Sequence, residues 1–319
     1  MEIPVVQLIL LADPAKGNSN PVHSPPVPEL PDITVYREAL EARVVGHVLK
    51  NVDVGSPFVL RSVDPPLSAF SGRTATSIER LGKRIVIAVE GELFLVIHLM
   101  IAGRLAWVAS GKKGVARGRL ASFAFDTGTL ILTEAGTKRR ASLAAVSGRA
   151  ALCAMDRGGL DVLNATDDAM LQRLRSENHT VKRSLTDPRL FDGIGNAYSD
   201  EILHAAKISP LQLTSKLTDA DALRLVAAIR ATLRTWTDHL RAEAKGGWPT
   251  RVTAFHPEMA VHGRFKLPCP VCGAPVQRIR YAENETNYCA RCQTLGRLLA
   301  DRAMSRLLKE DWPRSLDEQ

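Results

Sequence analysis

Counting from Pro31, apolar side chains return at Ile33, Tyr36, Leu40 and Val44, the three- and four-residue intervals of one helix face. Glu29 and Asp32 stand at the start of that run, where the positive end of a helix dipole favours acids. The pattern predicts a buried amphipathic helix with an acidic entrance. Farther on the period shortens: Arg84–Val89 and Leu93–Leu99 read as strands joined around Gly91, and Ala121–Asp126 and Thr129–Thr133 as a second pair around Thr127-Gly128. Past Gly158-Gly159 the helical spacing returns. Thr218 with Asp221 is a capping signal, and Ala222, Leu225, Ile229, Leu233, Trp236 and Leu240 form one apolar face that Lys245-Gly246-Gly247-Trp248-Pro249 brings to an end. A short Cys-, Pro- and Gly-rich region follows, and Leu298 to Leu316 reads as an appended helix with a charged tail.

With 319 residues the chain has room for two or three units of roughly 100–200 residues each. Lys and Arg outnumber Asp and Glu by 42 to 34, a formal charge of +8, and the pI is near 9.4. That balance favours a polyanionic partner such as nucleic acid, although a basic soluble enzyme would show it too. No run approaches the roughly 20 apolar residues of a membrane span. Val5 to Ala12 is apolar but short, has no basic stretch ahead of it, and leads into a Gly/Asn/Ser/Pro-rich tract through Pro26 with no convincing cleavage site. Residues 1–27 therefore read as a disordered or untranslated extension, and the protein as cytoplasmic.

Four of the five cysteines fall in two Cys-x2-Cys knuckles, Cys269 with Cys272 and Cys289 with Cys292, separated by 16 residues. This spacing suits a four-thiolate tetrahedral zinc site better than disulfides, and a site with all four positions filled by protein is structural. Cys153 stands apart and reads as a small buried hydrophobe.

The run Val27-Pro28-Glu29-Leu30-Pro31-Asp32 looks like the start of a protein, yet it begins 26 residues after Met1. Taken locally, its prolines are those of a helix entry. A terminal proline is something else, a secondary amine able to attack a sugar carbon. The run resembles the amino terminus of the formamidopyrimidine-DNA glycosylase and endonuclease VIII family, and other segments follow in the family's order. Arg80-Leu81-Gly82-Lys83-Arg84 resembles the segment holding its lysine, and His98-Leu99-Met100-Ile101-Ala102-Gly103 its His-Leu-Gly-Met-Ser-Gly loop. Gly193-Ile194-Gly195-Asn196-Ala197-Tyr198 resembles its helix–two-turn–helix signature, and Val261-His262-Gly263-Arg264 the approach to its finger. The resemblance runs from Pro28 to about Thr294.

The resemblance implies an α+β multidomain fold. Its parts are an extension at 1–27, a β-sandwich catalytic domain with a leading helix at 28–157, a helix–two-turn–helix DNA-binding domain at 158–262, a four-cysteine zinc finger at 263–297 and a helical tail at 298–319. It implies a monomeric bifunctional glycosylase and abasic-site lyase acting on damaged double-stranded DNA, with structural Zn2+ on the four cysteines. Pro28, Glu29 and Lys83 become the catalytic residues, and Asn196, Arg139, Arg140, His98 and Lys182 the DNA contacts. The chemistry requires a free Pro28 amine, so Val27 is expected to occupy the initiator position, read from GTG. The glycines ahead of Asn196 are expected to let backbone amides approach a phosphate. Five positions depart from the family: Ala141 falls where it has an aromatic wedge, Ile101 where it has a methionine, Asn284 where it has a finger arginine, and Asp32 and Thr34 where it has glutamates near the active helix. The competing reading is a non-catalytic protein that binds damaged or bent DNA with Pro28 blocked. An RNA-associated zinc ribbon is disfavoured by the lack of aromatic-rich strands.

Overall fold

The computed structural model describes residues 28–111, 118–134, 140–250, 256–281, 284–300 and 314–318. A leading helix α1 (Leu30–Val44) is followed by β1 (Val48–Val54), β2 (Arg73–Leu81), β3 (Arg84–Val89), β4 (Leu93–His98), β5 (Gly103–Ala109), β6 (Arg119–Phe125), β7 (Gly128–Glu134) and β8 (Ser142–Ser147). These strands form one antiparallel sheet in the order β5-β7-β6-β1-β2-β3-β4-β8. The sheet folds over between β1 and β2 into a sandwich. Ile85, Ile87, Leu95, Ile97 and Leu143 of one half meet Leu49, Leu105, Phe123, Leu130 and Leu132 of the other in a single core. The predicted face of α1, Ile33, Tyr36, Leu40 and Val44, closes that core from one end.

A short α2 (Arg149–Cys153) packs Leu152 against Val86, Phe94 and Val146 of the sandwich, and the helical unit follows: α3 (Asp167–Arg175), α4 (Val181–Thr186), α5 (Asn196–Ala205) and α6 (Asp219–Ala244). Thr218 caps α6 by accepting the Asp221 N–H at 3.1 Å. Its buried face of Ala222, Leu225, Ile229 and Leu233 packs with Tyr198, Ile202 and Leu203 of α5. The last unit is a hairpin of β9 (Val276–Tyr281) and β10 (Asn284–Cys289) with a short α7 (Ala290–Thr294).

One expectation is corrected. Cys153 is exposed, not buried, because it ends the short α2, whose single buried side chain is Leu152. Of the appended helix read at Leu298 to Leu316, residues 301–313 lie outside the described residues, as does the extension at 1–27. No helix among the described residues is long and apolar enough to cross a membrane.

Candidate active site

Three chain segments converge where the sandwich meets the helical unit. The first is the entrance to α1, where Pro28 and Glu29 are both buried. Asp32 accepts the Glu29 N–H at 3.0 Å, so the residue that fixes this entrance from within α1 is Asp32. The Glu29 side chain points away, to the second segment. Its carboxylate accepts N–H bonds from Gly195 at 2.5 Å, Ala197 at 2.9 Å and Tyr198 at 3.3 Å, all at the start of α5. Glu29 thus offsets the positive end of a helix that begins far along the chain, in addition to its place as N-cap of α1 in a capping box with Asp32. The same contact corrects the phosphate expectation: these amides are held by the Glu29 carboxylate.

Gly193 makes the approach possible. It lies at φ +82, and a Cβ there would come 2.8 Å from Leu30 Cβ. With no side chain in the way, its carbonyl accepts the Leu30 N–H at 2.9 Å.

The third segment is the tight β2–β3 turn, where Leu81 pairs with Arg84 and leaves Gly82-Lys83 at the tip. Gly82 takes φ +66, as a two-residue hairpin turn requires. Arg80 pins the turn to the approach to α5 by an ion pair with Asp192, and donates to the Gly82 carbonyl at 3.0 Å. Burial pushes the Asp192 carboxyl up, against the pull of Arg80. Lys83 reaches over Gly195, where a Cβ would overlap its Nζ and lie 2.6 Å from Glu29 Oε1. Burial lowers the Lys83 pKa, opposed by the charges of Glu29, Asp192 and Asp32. Among the described residues its ammonium has no hydrogen-bond or ion-pair partner, and it faces two cavities of about 200 and about 880 Å³.

The remaining candidates divide. His98 lines the smaller cavity with Lys83, and its pKa is pushed down to about 4 by burial and by the positive charges of Arg84, Lys83 and Arg157. Asn196 and Lys182 line the larger one, but both already have protein partners. Asn196 Nδ2 donates to the Glu285 carbonyl of the hairpin at 2.9 Å. Lys182 Nζ donates to Asp200 Oδ1 at 2.5 Å, Ser199 Oγ at 2.9 Å and the Asn196 carbonyl at 3.1 Å. Arg140 is exposed at the start of β8, with its N–H on the Glu134 carboxylate. Arg139 lies outside the described residues, as does the Asn284 side chain. Ala141, read as a lost wedge, is buried beneath Glu134.

In the finger, the Sγ atoms of Cys269, Cys272, Cys289 and Cys292 lie within 4.8 Å of one another. Thiolates about 2.3 Å from one tetrahedral ion stand about 3.8 Å apart, and the Cys269–Cys292 distance is 4.0 Å. Burial and the neighbouring sulfurs push the Cys289 and Cys292 thiols up; a bound cation would supply the charge that holds them as thiolates. His204 of α5 is buried against Cys269 Sγ at 3.3 Å. Burial keeps its imidazole pKa down, which suits a neutral N–H donor to a thiolate.

Comparison with known proteins agrees with this architecture. The model of the formamidopyrimidine-DNA glycosylase N-terminal domain matches residues 27–141 and that of its H2TH domain residues 161–239. The zinc finger found in FPG and IleRS matches residues 266–295. The formamidopyrimidine-DNA glycosylase of Thermus thermophilus is 31% identical over 288 residues, covering 85% of this chain and 100% of that protein. This chain belongs to the formamidopyrimidine-DNA glycosylase family. The Desulforamulus reducens glycosylase is 30% identical over 282 residues, 84% of this chain and 99% of that one. A Mycobacterium tuberculosis formamidopyrimidine-DNA glycosylase-like protein is 41% identical over 151 residues, 47% of this chain and 94% of its own length. Lactococcus lactis FPG, solved with a Fapy-dG-containing DNA, shares the fold at a TM-score of 0.74 and 24% identity, covering 83% of this chain and all of that one. As a member of the family the chain carries a structural zinc on its four finger cysteines.

Reading the sequence missed Asp192, Asp200 and His204. Asp200 binds Lys182, His262 Nδ1 at 2.7 Å and the Asn287 N–H at 3.1 Å, joining α4, α5 and the hairpin through one buried carboxylate. Asp200 and His204 lie four residues apart on the α5 face that meets the finger. That spacing was the available signal, but it had no meaning until the finger was placed.

Proposed function

We propose that this family member excises oxidised bases from duplex DNA and cuts the strand at the abasic site, with Pro28 as nucleophile in a chain where its nitrogen is terminal. The observation that carries the reading is the meeting of the Glu29 carboxylate, the Lys83 ammonium and the entrance of α5 beside Pro28. A free α-amine titrates near pH 8, so a useful neutral fraction exists under ordinary conditions. Its nitrogen attacks C1′ of the deoxyribose, the glycosidic bond breaks, and the base leaves with the electron pair and the proton that the amine gives up; the C1′–O4′ bond then opens, O4′ taking a proton, as the nitrogen lone pair closes the C=N bond. The resulting iminium acidifies the C2′ hydrogen; its removal expels the 3′ phosphate and cuts the strand. Glu29 is the proton-transfer group at the sugar. Lys83, whose Nζ has no hydrogen-bond or ion-pair partner among the described residues, holds the phosphate beside the lesion. The partner is damaged double-stranded DNA bound by a monomer, and the place of action is the nucleoid.

A second reading, a DNA binder that does not cut, is favoured by one observation: the Glu29 carboxylate already serves three backbone N–H groups. Borohydride trapping on an abasic-site duplex separates the two. Protein begun at Met1 is compared with protein begun at Val27 recoded as methionine, which exposes Pro28 after trimming. A covalent protein–DNA product from the short form alone supports the Pro28 lyase; no product from either form supports the binder.

A further inference from the structure

The closing turns of α6 carry a cluster that neither the site above nor the finger uses. His239 and Glu243 lie one turn apart on α6, and His256 folds back onto them from 13 residues beyond Glu243. The Nε2 atoms of the two imidazoles are 3.3 Å apart. Oε1 of Glu243 is 3.0 Å from His256 Nε2 and 3.7 Å from His239 Nε2. Three donor atoms therefore face one point. Donors held 2.0–2.2 Å from a common ion stand about 2.8–3.6 Å from one another, between octahedral and tetrahedral geometry; the 3.0 and 3.3 Å separations fall in this range and the 3.7 Å one lies just beyond it.

The surroundings fit such an ion. The His256 side chain is 5% exposed, while those of His239 and Glu243 are 29% and 30% exposed, which leaves one side open for a further ligand. Trp236 packs edge-on against both imidazoles, with centroids 5.3 and 5.2 Å away. The other nitrogen of His239 has the Glu258 carboxylate 3.6 Å away, where a metal-ligating imidazole keeps an acceptor. His256 Nδ1 accepts the Glu258 N–H at 3.2 Å, which puts its proton on Nε2. Ligation through Nε2 needs the other tautomer, with the proton on Nδ1, so binding an ion there gives up both the Glu258 N–H bond and the Nε2–H contact with Glu243.

We propose that His239, Glu243 and His256 form a second metal site, for a first-row divalent transition ion suited to two imidazoles and one carboxylate. It clips residue 256 to α6. It also fixes Glu243, which lines a cavity of about 360 Å³ with Asp32 and Tyr36 of α1.

The test uses the full chain with its finger loaded, dialysed against micromolar Zn2+ or Co2+, with bound metal counted by atomic emission. The expected result is two ions per chain for the native protein and one for His239→Gln, with the Co2+ form gaining ligand-field bands that lack thiolate charge transfer. Glu243→Gln is expected to weaken the second ion at least tenfold. In samples whose finger also holds Co2+, retained thiolate-to-Co2+ bands show that each variant is folded. One ion per chain in the native protein, or a second ion that both variants bind unchanged, would overturn the proposal.

Discussion

Replacing Glu29 by Gln removes a negative charge from the entrance of α5 and leaves one carbonyl oxygen for three N–H donors at 2.5, 2.9 and 3.3 Å. A hydrogen bond to a charged acceptor contributes about 1.5–3 kcal/mol, against about 1 kcal/mol for a neutral one. The two shorter bonds therefore lose about 2–3 kcal/mol between them, and loss of the charge–dipole attraction adds about 1 kcal/mol. Relief of burying a carboxylate offsets part of this. The net cost is about 2–3 kcal/mol, roughly 30- to 150-fold in the folding equilibrium at 1.4 kcal/mol per tenfold. Urea unfolding should show a lower midpoint at unchanged slope, and hydrogen exchange should show lost protection at Gly195, Ala197 and Tyr198. Glu29→Asp, which keeps the charge but shortens the reach, should fall between. If Glu29→Gln unfolds within about 0.5 kcal/mol of the native protein with those amides still protected, the capping role is refuted, and any lost activity belongs to proton transfer alone.

Gly195→Ala should lower strand incision about 100-fold, the scale of a 1 Å misplacement at a reacting centre, while duplex binding persists. Residue 195 has φ −132 and ψ −155, open to any side chain, so the effect is the methyl meeting Lys83 and Glu29; full incision by this variant would show that the pair has room to shift. His98 links stability to pH: its pKa falls from 6.5 to about 4 on folding, so between those values the unfolded chain holds a proton that the folded chain does not. Its contribution is whole above about pH 6.5 and is lost as the pH drops to about 4, by at most about 3 kcal/mol, and His98→Asn should flatten that part of the stability–pH curve. Stripping zinc with a strong chelator should melt the finger and cut duplex affinity while the sandwich transition stays in place; a calorimetric trace unchanged by the chelator would contradict the four-thiolate assignment.

The elements legible in the sequence are those whose burial follows a simple period. α1 and α6 each bury one face, and β3 and β4 are nearly continuous apolar runs. β1 was not legible because Leu49 is its only buried residue. The knuckles declared the finger outright, since thiol spacing survives without knowledge of the fold. The active site was half legible: Pro28, Glu29 and Lys83 could be named from their motifs, but not what they touch. The donors to Glu29 lie 166 to 169 residues away. Lys182 and Asn196 carry the groups expected of DNA contacts, yet the fold gives both protein partners, on α5 and the hairpin. Pairings of this kind arise from the packing of units and leave no local period to read.

The ten residues of α5 form a rod about 15 Å long, and each part of it is fastened to something different. Its first turn is seated on the Glu29 carboxylate, Asp200 ties its middle to the hairpin, and His204 near its far end rests on a zinc thiolate. Such a rod acts as a push-rod. Load reaching the finger would arrive beside Pro28 as movement of a single stiff part, so the zinc centre and the candidate catalytic entrance are mechanically in series.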